Sequence, residues 1–291
     1  MIKEKLFKNA KKVDKFLISF LHRQKKSLLV KPMKYGVISG GKKIRSTIIF
    51  DTGKIFNLKE KKLLNICAAV ECIHSYSLIH DDLPCMDDDS IRRGKPSTHI
   101  KFGEASAVLA GSSLLTLAFE IIADKKYLLN SKKKNEIVRS LASCSGHTGI
   151  AGGQELDLKF EKKKKKISQI IDMQKKKTGK LFNFCLYAVG TLANKTIQER
   201  KLLSNLGEEI GLLFQLADDF LDKKGSKKLV GKPVKKDNKK GKSTLLSLMG
   251  EKKAYLYANN LKKKILRKLE KHGKKAKELT STIEFILERK F

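Results

Sequence analysis

The chain has 291 residues and a formal net charge of +34, from 64 lysines and arginines against 30 aspartates and glutamates. A hydrophobic share of 41% is enough for a sizeable buried core and excludes general disorder. The positive surplus indicates attraction to polyanions such as nucleic acid, a membrane surface or phosphorylated substrates, although lysines spread along the whole chain also fit a plain solvated surface.

The predicted elements are helices throughout. Only four prolines occur, and the stretches between them carry apolar residues at helical spacing without alternating β-branched runs. The predicted helices span residues 3–22, 42–56, 60–82, 103–124, 133–150, 167–192, 199–222, 243–270 and 276–289. Short polar connections predict an all-α bundle in one domain, residues 1–291, with an N-terminal helix within 1–30 and C-terminal helices within 245–291.

The N-terminal segment is basic and amphipathic, but it has no unbroken apolar stretch and no small-residue cleavage site, so no secretory signal is expected. No stretch reaches about 18 uninterrupted apolar residues, so no membrane-spanning helix is expected either.

The cysteines show no CxxC pair and no metal-ligand spacing. Buried reduced thiols and a cytoplasmic location are therefore expected for Cys67, Cys72, Cys85, Cys144 and Cys185.

An acidic cluster lies at the end of the third of these helices, where residues 77–95 read SLIHDDLPCMDDDSIRRGK. The preceding residues 60–80 are apolar nearly all round, which is typical of a helix in the middle of a protein, where unpaired charge is costly. Pro84 disfavours helical geometry at Leu83 and lacks a backbone donor. The sequence therefore predicts a distortion that brings Asp87 back beside Asp81.

A second acidic cluster, QLADDFLD, occupies residues 215–222. Its polar side chains fall within a sector of roughly 100° on a helical wheel, namely Gln215, Asp218, Asp219 and Asp222. Oxygen ligands without histidine or cysteine partners select Mg²⁺-type ions, which bind carboxylates together with substrate phosphates. Two such clusters predict two walls that hold a diphosphate through metal bridges. The alternative is a pair of surface acidic patches balanced by lysines.

Basic residues adjoin both clusters. The stretch SGGKKIRS, residues 39–46, precedes a predicted helix, and glycines before a helix N-terminus allow backbone N–H groups to approach an anion. Arg92 and Arg93 follow the first cluster and are placed to bind diphosphate oxygens. Further candidates for diphosphate binding are Lys177, Thr178, Lys232 and Lys242. The lysine-rich stretch 223–242 is predicted to be a flexible loop, and 162–166 a solvated turn.

Taken in order, the motifs resemble the trans-isoprenyl diphosphate synthase family, in its bacterial farnesyl diphosphate synthase branch. They span residues 35–244 and read YGVISGGKKIR, AAVECIHSYSLIHDDLPCMDDDSIRRGKPSTH, FGEASAVLAG, GGQELDL, KKTG, FQLADDFLD and GKST. The resemblance implies the all-α isoprenoid synthase fold, a homodimer, a deep central cavity, and Mg²⁺ with Mn²⁺ as a substitute. It also implies Mg²⁺-assisted ionisation to an allylic carbocation, with isopentenyl diphosphate condensing with dimethylallyl and then geranyl diphosphate to give (2E,6E)-farnesyl diphosphate.

The same resemblance implies roles for individual residues. Metal ligands would be Asp81, Asp82 and Asp87, facing Asp218, Asp219 and Asp222, with Asp88 and Asp89 as supporting charges. Isopentenyl diphosphate would be bound by Lys42, Arg45, His74 and Arg93, and the allylic diphosphate by Arg92. The leaving group would be stabilised by Lys177 and Lys232, near a cavity wall lined by Thr178 and Gln215.

Product length is predicted to depend on Tyr76 and Ser77, the fifth and fourth residues before the first motif. Tyr76 lies roughly 7.5 Å along the helix from Asp81, but about 140° round its axis, so it must reach round to close the cavity. A tyrosine here resembles the fifteen-carbon branch. Geranyl and geranylgeranyl diphosphate remain the alternative products.

The sequence also departs from the family pattern at several positions. Ser46 stands where a proline often follows the first basic motif, Ser226 where an aspartate is usual, and Lys235 and Lys236 where a Gly-Ala type pair is usual. The competing interpretations are a class I terpene cyclase, an inactive relative and a basic nucleic-acid-binding helical protein. The last gives no reason for two carboxylate clusters, so no nucleic acid partner is expected.

Overall fold

The computed structural model describes residues 2–24, 27–38, 40–161, 163, 165–224 and 244–288. The first half contains α1 (Ile2–His22), α2 (Val30–Ile38), α3 (Ile44–Ile55), α4 (Glu60–Asp81), β1 (Ile91–Arg92), β2 (Lys95–Pro96), α5 (Thr98–Phe102), α6 (Glu104–Ala123) and α7 (Ser131–Ser145). The second half contains α8 (Ile150–Phe160), α9 (Ile167–Gln174), a π-helical segment (Lys175–Gly179), α10 (Lys180–Leu192), α11 (Ile197–Lys224), α12 (Leu245–Met249), α13 (Glu251–Glu270), a 3₁₀ turn (Gly273–Ala276) and α14 (Lys277–Glu288).

The all-α prediction is confirmed, and the described strands form a single antiparallel hairpin in which Ile91 pairs with Pro96 and Arg92 with Lys95. The sequence missed three helices, α2, α5 and α8. Helix α2 carries Pro32 in its first turn, where its missing N–H costs little. Helix α8 contains adjacent glycines, and a side chain at Gly153 would collide with the backbone of Lys177. Proline and glycine usually interrupt helices. Here Pro32 lies in the first turn of α2, and Gly153 allows α8 to pack closely against the backbone of Lys177.

Two predicted helices are interrupted in the structure. The segment predicted over 167–192 is divided by the π-helical residues Lys175–Gly179. The segment predicted over 243–270 is divided at Gly250, whose φ of +77° lies in the left-handed region and ends α12. The helix predicted over 133–150 ends at Ser145.

Helix α4 lies at the centre of the bundle, as its apolar composition predicts. Its side chains are buried on several faces, from Leu63 to Ile79, and it contacts α3 on one side and α6 on the other. Its C-terminal end carries the first acidic cluster. Four of the five cysteines are buried, Cys85 is exposed, and all five are free thiols.

Candidate active site

The first acidic cluster folds back on itself at the end of α4. After Asp81 the chain turns, so that the backbone N–H of Asp87 donates to the carbonyl of Asp81 at 2.8 Å. The N–H of Asp89 donates to the carbonyl of Asp82 at 3.1 Å. The distortion predicted from Pro84 is therefore confirmed, and a spacing of six residues places Asp87 beside Asp81.

The two neighbouring aspartates of this cluster have different surroundings. Asp82 is 2% exposed, and Arg92 Nε donates to its two carboxylate oxygens at 3.0 and 3.2 Å. Arg92 also lies 3.4 Å from Asp89. The charge of Asp82 is thus paired inside the protein, and Arg92 connects the hairpin to the end of α4.

The charged form of Asp81 is disfavoured by its surroundings. Burial raises its pKa to about 6, the positive charge of Lys177 opposes that rise, and the neighbouring carboxylate of Asp87 adds to it. A carboxylate that is buried beside another carboxylate is stabilised by a cation. This donor set, hard oxygens without nitrogen or sulfur, fits Mg²⁺.

The second acidic cluster lies on α11, and its adjacent aspartates also have different surroundings. Asp219 is 5% exposed and accepts hydrogen bonds from two amides, Gln215 Nε2 at 3.0 Å and Gln174 Nε2 at 3.3 Å. Asp218 and Asp222 are partly exposed on the same helix. Gln215 in turn accepts a hydrogen bond from Thr178 Oγ1 at 2.9 Å. The cluster is therefore joined to α9 and the π-helical segment.

Among the described residues, no three His, Cys, Asp or Glu side chains are close enough together to hold a metal ion. The six aspartates assigned as ligands therefore stay a prediction. In each adjacent pair, one carboxylate, Asp82 or Asp219, accepts side-chain hydrogen bonds from within the protein.

Lys177 lies in the π-helical segment between α9 and α10. Its Nζ donates to Asp157 Oδ2 at 2.7 Å, which joins the KKTG motif to the GGQELDL motif on α8. Single π turns are common at functional sites because they redirect a side chain without ending the helix. The position of Lys177 could not be predicted, because no residue near it signals this distortion.

The loop before α3 has an unusual backbone. Gly40, Gly41 and Lys43 have φ angles of +94°, +100° and +41°. Lys43 Nζ donates to the carbonyl of Val37 at 3.0 Å and pairs with Asp14 Oδ1 at 3.2 Å. This buried lysine fixes the loop, whereas Lys42, the predicted ligand, is exposed. Helix α3 accordingly begins at Ile44 rather than residue 42.

The predicted isopentenyl diphosphate ligands line this loop. Arg93 donates from its guanidinium to the carbonyl of Gly40 at 2.6 Å. Arg45 stacks over Phe182 and Phe214, at 4.7 and 5.6 Å from the ring centres. Burial lowers the pKa of His74 well below its usual value, and the charges of Arg45 and Arg93 lower it further. Because the imidazole of His74 is neutral, it adds no further positive charge, and the charges of Arg45 and Arg93 remain available to bind an anion.

The predicted chain-length residues are both on α4. Tyr76 is 8% exposed, and its hydroxyl donates to the carbonyl of Ser145 at the end of α7, at 3.2 Å. Its ring meets His80 edge to face at 5.7 Å. Burial and the charge of Asp81 raise its pKa to about 12. Ser77 Oγ donates to the carbonyl of His74 within its own helix.

Two predicted ligands, Lys232 and Lys242, lie outside the described residues, as do Ser226, Lys235 and Lys236. Sequence reasoning did not identify Asp14, Lys43, Asp157 or Gln174. Asp157 lies in the GGQELDL motif and Lys43 in SGGKKIRS, so their place in these motifs could have identified both residues. Asp14 and Gln174 reach the site from helices without a motif, so only the tertiary structure could reveal them.

The chain is similar to known proteins over most of its length. A model of the polyprenyl synthetase family matches residues 26–284. The farnesyl diphosphate synthase of Escherichia coli (strain K12) is 39% identical over 267 residues, covering 90% of this chain and 89% of that protein.

Two solved structures are also similar over nearly the whole length. The apo structure of an FPP/GFPP synthase from Zymomonas mobilis has a TM-score of 0.88 and 36% identity, covering 98% of each chain. A geranyltransferase from Helicobacter pylori, complexed with magnesium and isoprenyl diphosphate, has a TM-score of 0.82 and 28% identity, covering 98% of this chain and 96% of that one.

Proposed function

The chain belongs to the polyprenyl synthetase family, and from that premise we propose that it is a farnesyl diphosphate synthase. As a prenyltransferase it condenses isopentenyl diphosphate with dimethylallyl and then geranyl diphosphate. The observation that carries the proposal is the return of Asp87 to Asp81 at the end of a buried helix, where the charge of Lys177 opposes the rise in the pKa of Asp81. A buried acidic site flanked by basic loops suits a metal-bound diphosphate.

When bound, Mg²⁺ supplies the charge that lets an allylic diphosphate depart. Asp81 and Asp87 would hold it on one wall, and Asp218 and Asp222 on the other. Asp82 and Asp219 orient these walls through Arg92, Gln174 and Gln215, since those contacts already exist in the protein.

The remaining steps use groups of the chain itself. Lys177 adds a positive charge beside the leaving diphosphate, held in place by Asp157. Arg45, His74 and Arg93 bind isopentenyl diphosphate so that its alkene faces the allylic carbon. The buried apolar residues around α4 exclude water that would quench the cation, and the proton is lost to the released diphosphate.

The family match and a continuous buried core support one domain over residues 1–291. A cytoplasmic location is part of the proposal, and the free thiols support it. Of the described helices, α6 alone is long and apolar enough to span a membrane, but it packs in the bundle against α4. Its buried side lies in the protein core, which accounts for the apolar residues on that side.

The exposed face of α6 supports a homodimer. Between Glu104 and Glu120 this helix has no charged residue, although 32% of the chain is charged. Val108 and Leu109 are 42% and 53% exposed there. A charge-free apolar face in a chain with net charge +34 suits a second copy of itself rather than a polyanion.

Leu109→Glu is expected to convert the dimer to a monomer, because it buries a carboxylate opposite its own copy. Light scattering after gel filtration should give twice the chain mass for the wild type and once for the variant. Leu128→Glu, at a leucine that is 90% exposed, is the matched control and should leave the dimer intact. A monomeric wild type would contradict the assignment.

Tyr76→Ala is expected to lengthen the product beyond fifteen carbons. The substitution removes a buried ring whose hydroxyl binds the carbonyl of Ser145, and it leaves space roughly 7.5 Å along α4 from Asp81. Chromatography of dephosphorylated products measures the shift. The control is Tyr35→Phe, which keeps the ring on α2 and should leave product length unchanged. An unchanged distribution with Tyr76→Ala would exclude this tyrosine as the residue that limits chain length.

The function itself is tested with labelled isopentenyl diphosphate and each allylic primer in turn. Dimethylallyl and geranyl diphosphate should both give farnesol after dephosphorylation, and farnesyl diphosphate should be extended poorly. Geranylgeraniol or geraniol as the main product would move the enzyme to another product class in the same family.

A further inference from the structure

Glu71 lies on α4, one turn before His74, and its side chain is only 3% exposed. Its Oε1 accepts a hydrogen bond from Ser46 Oγ at 2.7 Å, and its Oε2 lies 3.9 Å from Lys43 Nζ. One buried carboxylate thus contacts both the loop before α3 and the first turn of α3. None of the chemical steps described above uses it.

The position is crowded with positive charge. Lys43 belongs to the loop that contains Gly40 and Gly41, Arg93 donates to the carbonyl of Gly40, and Arg45 follows in the first turn of α3. Burial lowers the pKa of Arg45 and of Arg93, and the charge of Glu71 is the largest influence that opposes this in both. A buried cation without a counter-charge destabilises the folded protein, and a cluster of such cations does so as well.

Asp14 is the other carboxylate near Lys43, on α1. Its side chain is 25% exposed and its oxygen is 3.2 Å from Lys43 Nζ, so water screens it more than Glu71. Lys43 has a 2% exposed side chain and a left-handed backbone, which together require a fixed partner on the buried side. Glu71 supplies that partner.

We propose that Glu71 is a positioning residue for isopentenyl diphosphate, which it never touches. As the buried counter-charge of Lys43, Arg45 and Arg93, it holds the loop of residues 40–46 in the shape that binds the diphosphate. This inference rests on the proposed function. Ser46 anchors Glu71 through a hydroxyl that a proline, common at this position in the family, does not have.

A change at Glu71 affects the binding of only one of the two substrates, isopentenyl diphosphate. Glu71 precedes Asp81 by ten residues on α4, which corresponds to about 15 Å along the helix. Its contacts are with the loop and α3, whereas the allylic site is built from the end of α4, the hairpin and α11. The two diphosphates therefore respond differently when Glu71 is changed.

Glu71→Gln keeps the shape of the side chain and removes its charge. The KM for isopentenyl diphosphate should rise about tenfold, while the KM for geranyl diphosphate stays within about twofold. Calorimetric binding of isopentenyl diphosphate alone should weaken by the same factor. Glu60→Gln, at an exposed glutamate in the first turn of the same helix, is the matched control and should change neither constant.

Ser46→Ala removes one hydrogen bond without altering charge, and it decides the matter if Glu71→Gln does not fold. It should raise the KM for isopentenyl diphosphate about threefold and leave that for geranyl diphosphate unchanged. Equal changes in both constants, or no change in either, overturn the inference. A wild-type protein that consumes no isopentenyl diphosphate instead overturns the proposed function, so the two failures are distinguishable.

Discussion

Asp81→Asn is expected to lower kcat by about 10³-fold, the largest loss of any single substitution in this chain. Asp81 is half-buried at the end of α4 beside Asp87, and burial together with the charge of Asp87 raises its pKa to about 6, so its negative charge is disfavoured without a cation. The charge is nevertheless needed, because it holds the metal on the allylic diphosphate. Asparagine keeps the size of the side chain and removes the charge.

Steady-state kinetics at saturating substrates checks this value, with Mg²⁺ varied to detect any rescue at high metal. Asp88→Asn is the matched control, because Asp88 belongs to the same cluster but is exposed, with a φ of +48°. It should change kcat by less than about threefold. Equal losses in the two variants would mean that the general negative charge of the cluster matters and that Asp81 is not a specific ligand.

Lys177→Met is expected to lower kcat by about 10²-fold, the second largest effect. Lys177 lies in the π-helical segment, 2.7 Å from Asp157, and its charge opposes the rise in the pKa of Asp81. Methionine has a similar length and no charge, so the leaving diphosphate loses one stabilising cation while the segment keeps its packing.

Lys176→Met is the matched control one residue earlier. Lys176 has a side chain that is 35% exposed, and it pairs with the exposed Asp172 at 3.1 Å in an i,i+4 contact. It should keep kcat and both KM values within about twofold. If Lys176→Met lost as much activity as Lys177→Met, the net charge of the segment, and not the position of Lys177, would account for the effect.

Much of the site was predictable because it depends on local chemistry. The apolar surface of α4 predicted its burial, and Pro84 predicted the turn that returns Asp87 to Asp81. Both conclusions need only residues close together in sequence. The spacing of carboxylates on α11 likewise predicted a polar face, since it follows from the helical repeat.

The remainder depends on contacts between distant elements. The π-helical segment arises where α8 packs closely at Gly153, and no residue in KKKTG signals it. The wheel grouped Asp218 with Asp219, but the amide of Gln174, 45 residues earlier, distinguishes them. Arg92 is predicted to bind the allylic diphosphate because it follows the acidic cluster, and the folded hairpin adds a pairing with Asp82 that this place in the sequence does not indicate. Such pairings become visible only when the helices are assembled.

The proposed function is tested most directly by the consumption of isopentenyl diphosphate by the purified 291-residue chain, with geranyl diphosphate as co-substrate, measured with and without Mg²⁺. We expect rapid consumption with Mg²⁺, release of one diphosphate for each isopentenyl diphosphate used, and none of either after chelation with EDTA. No consumption with Mg²⁺ present, or equal consumption after chelation, would contradict the proposed function.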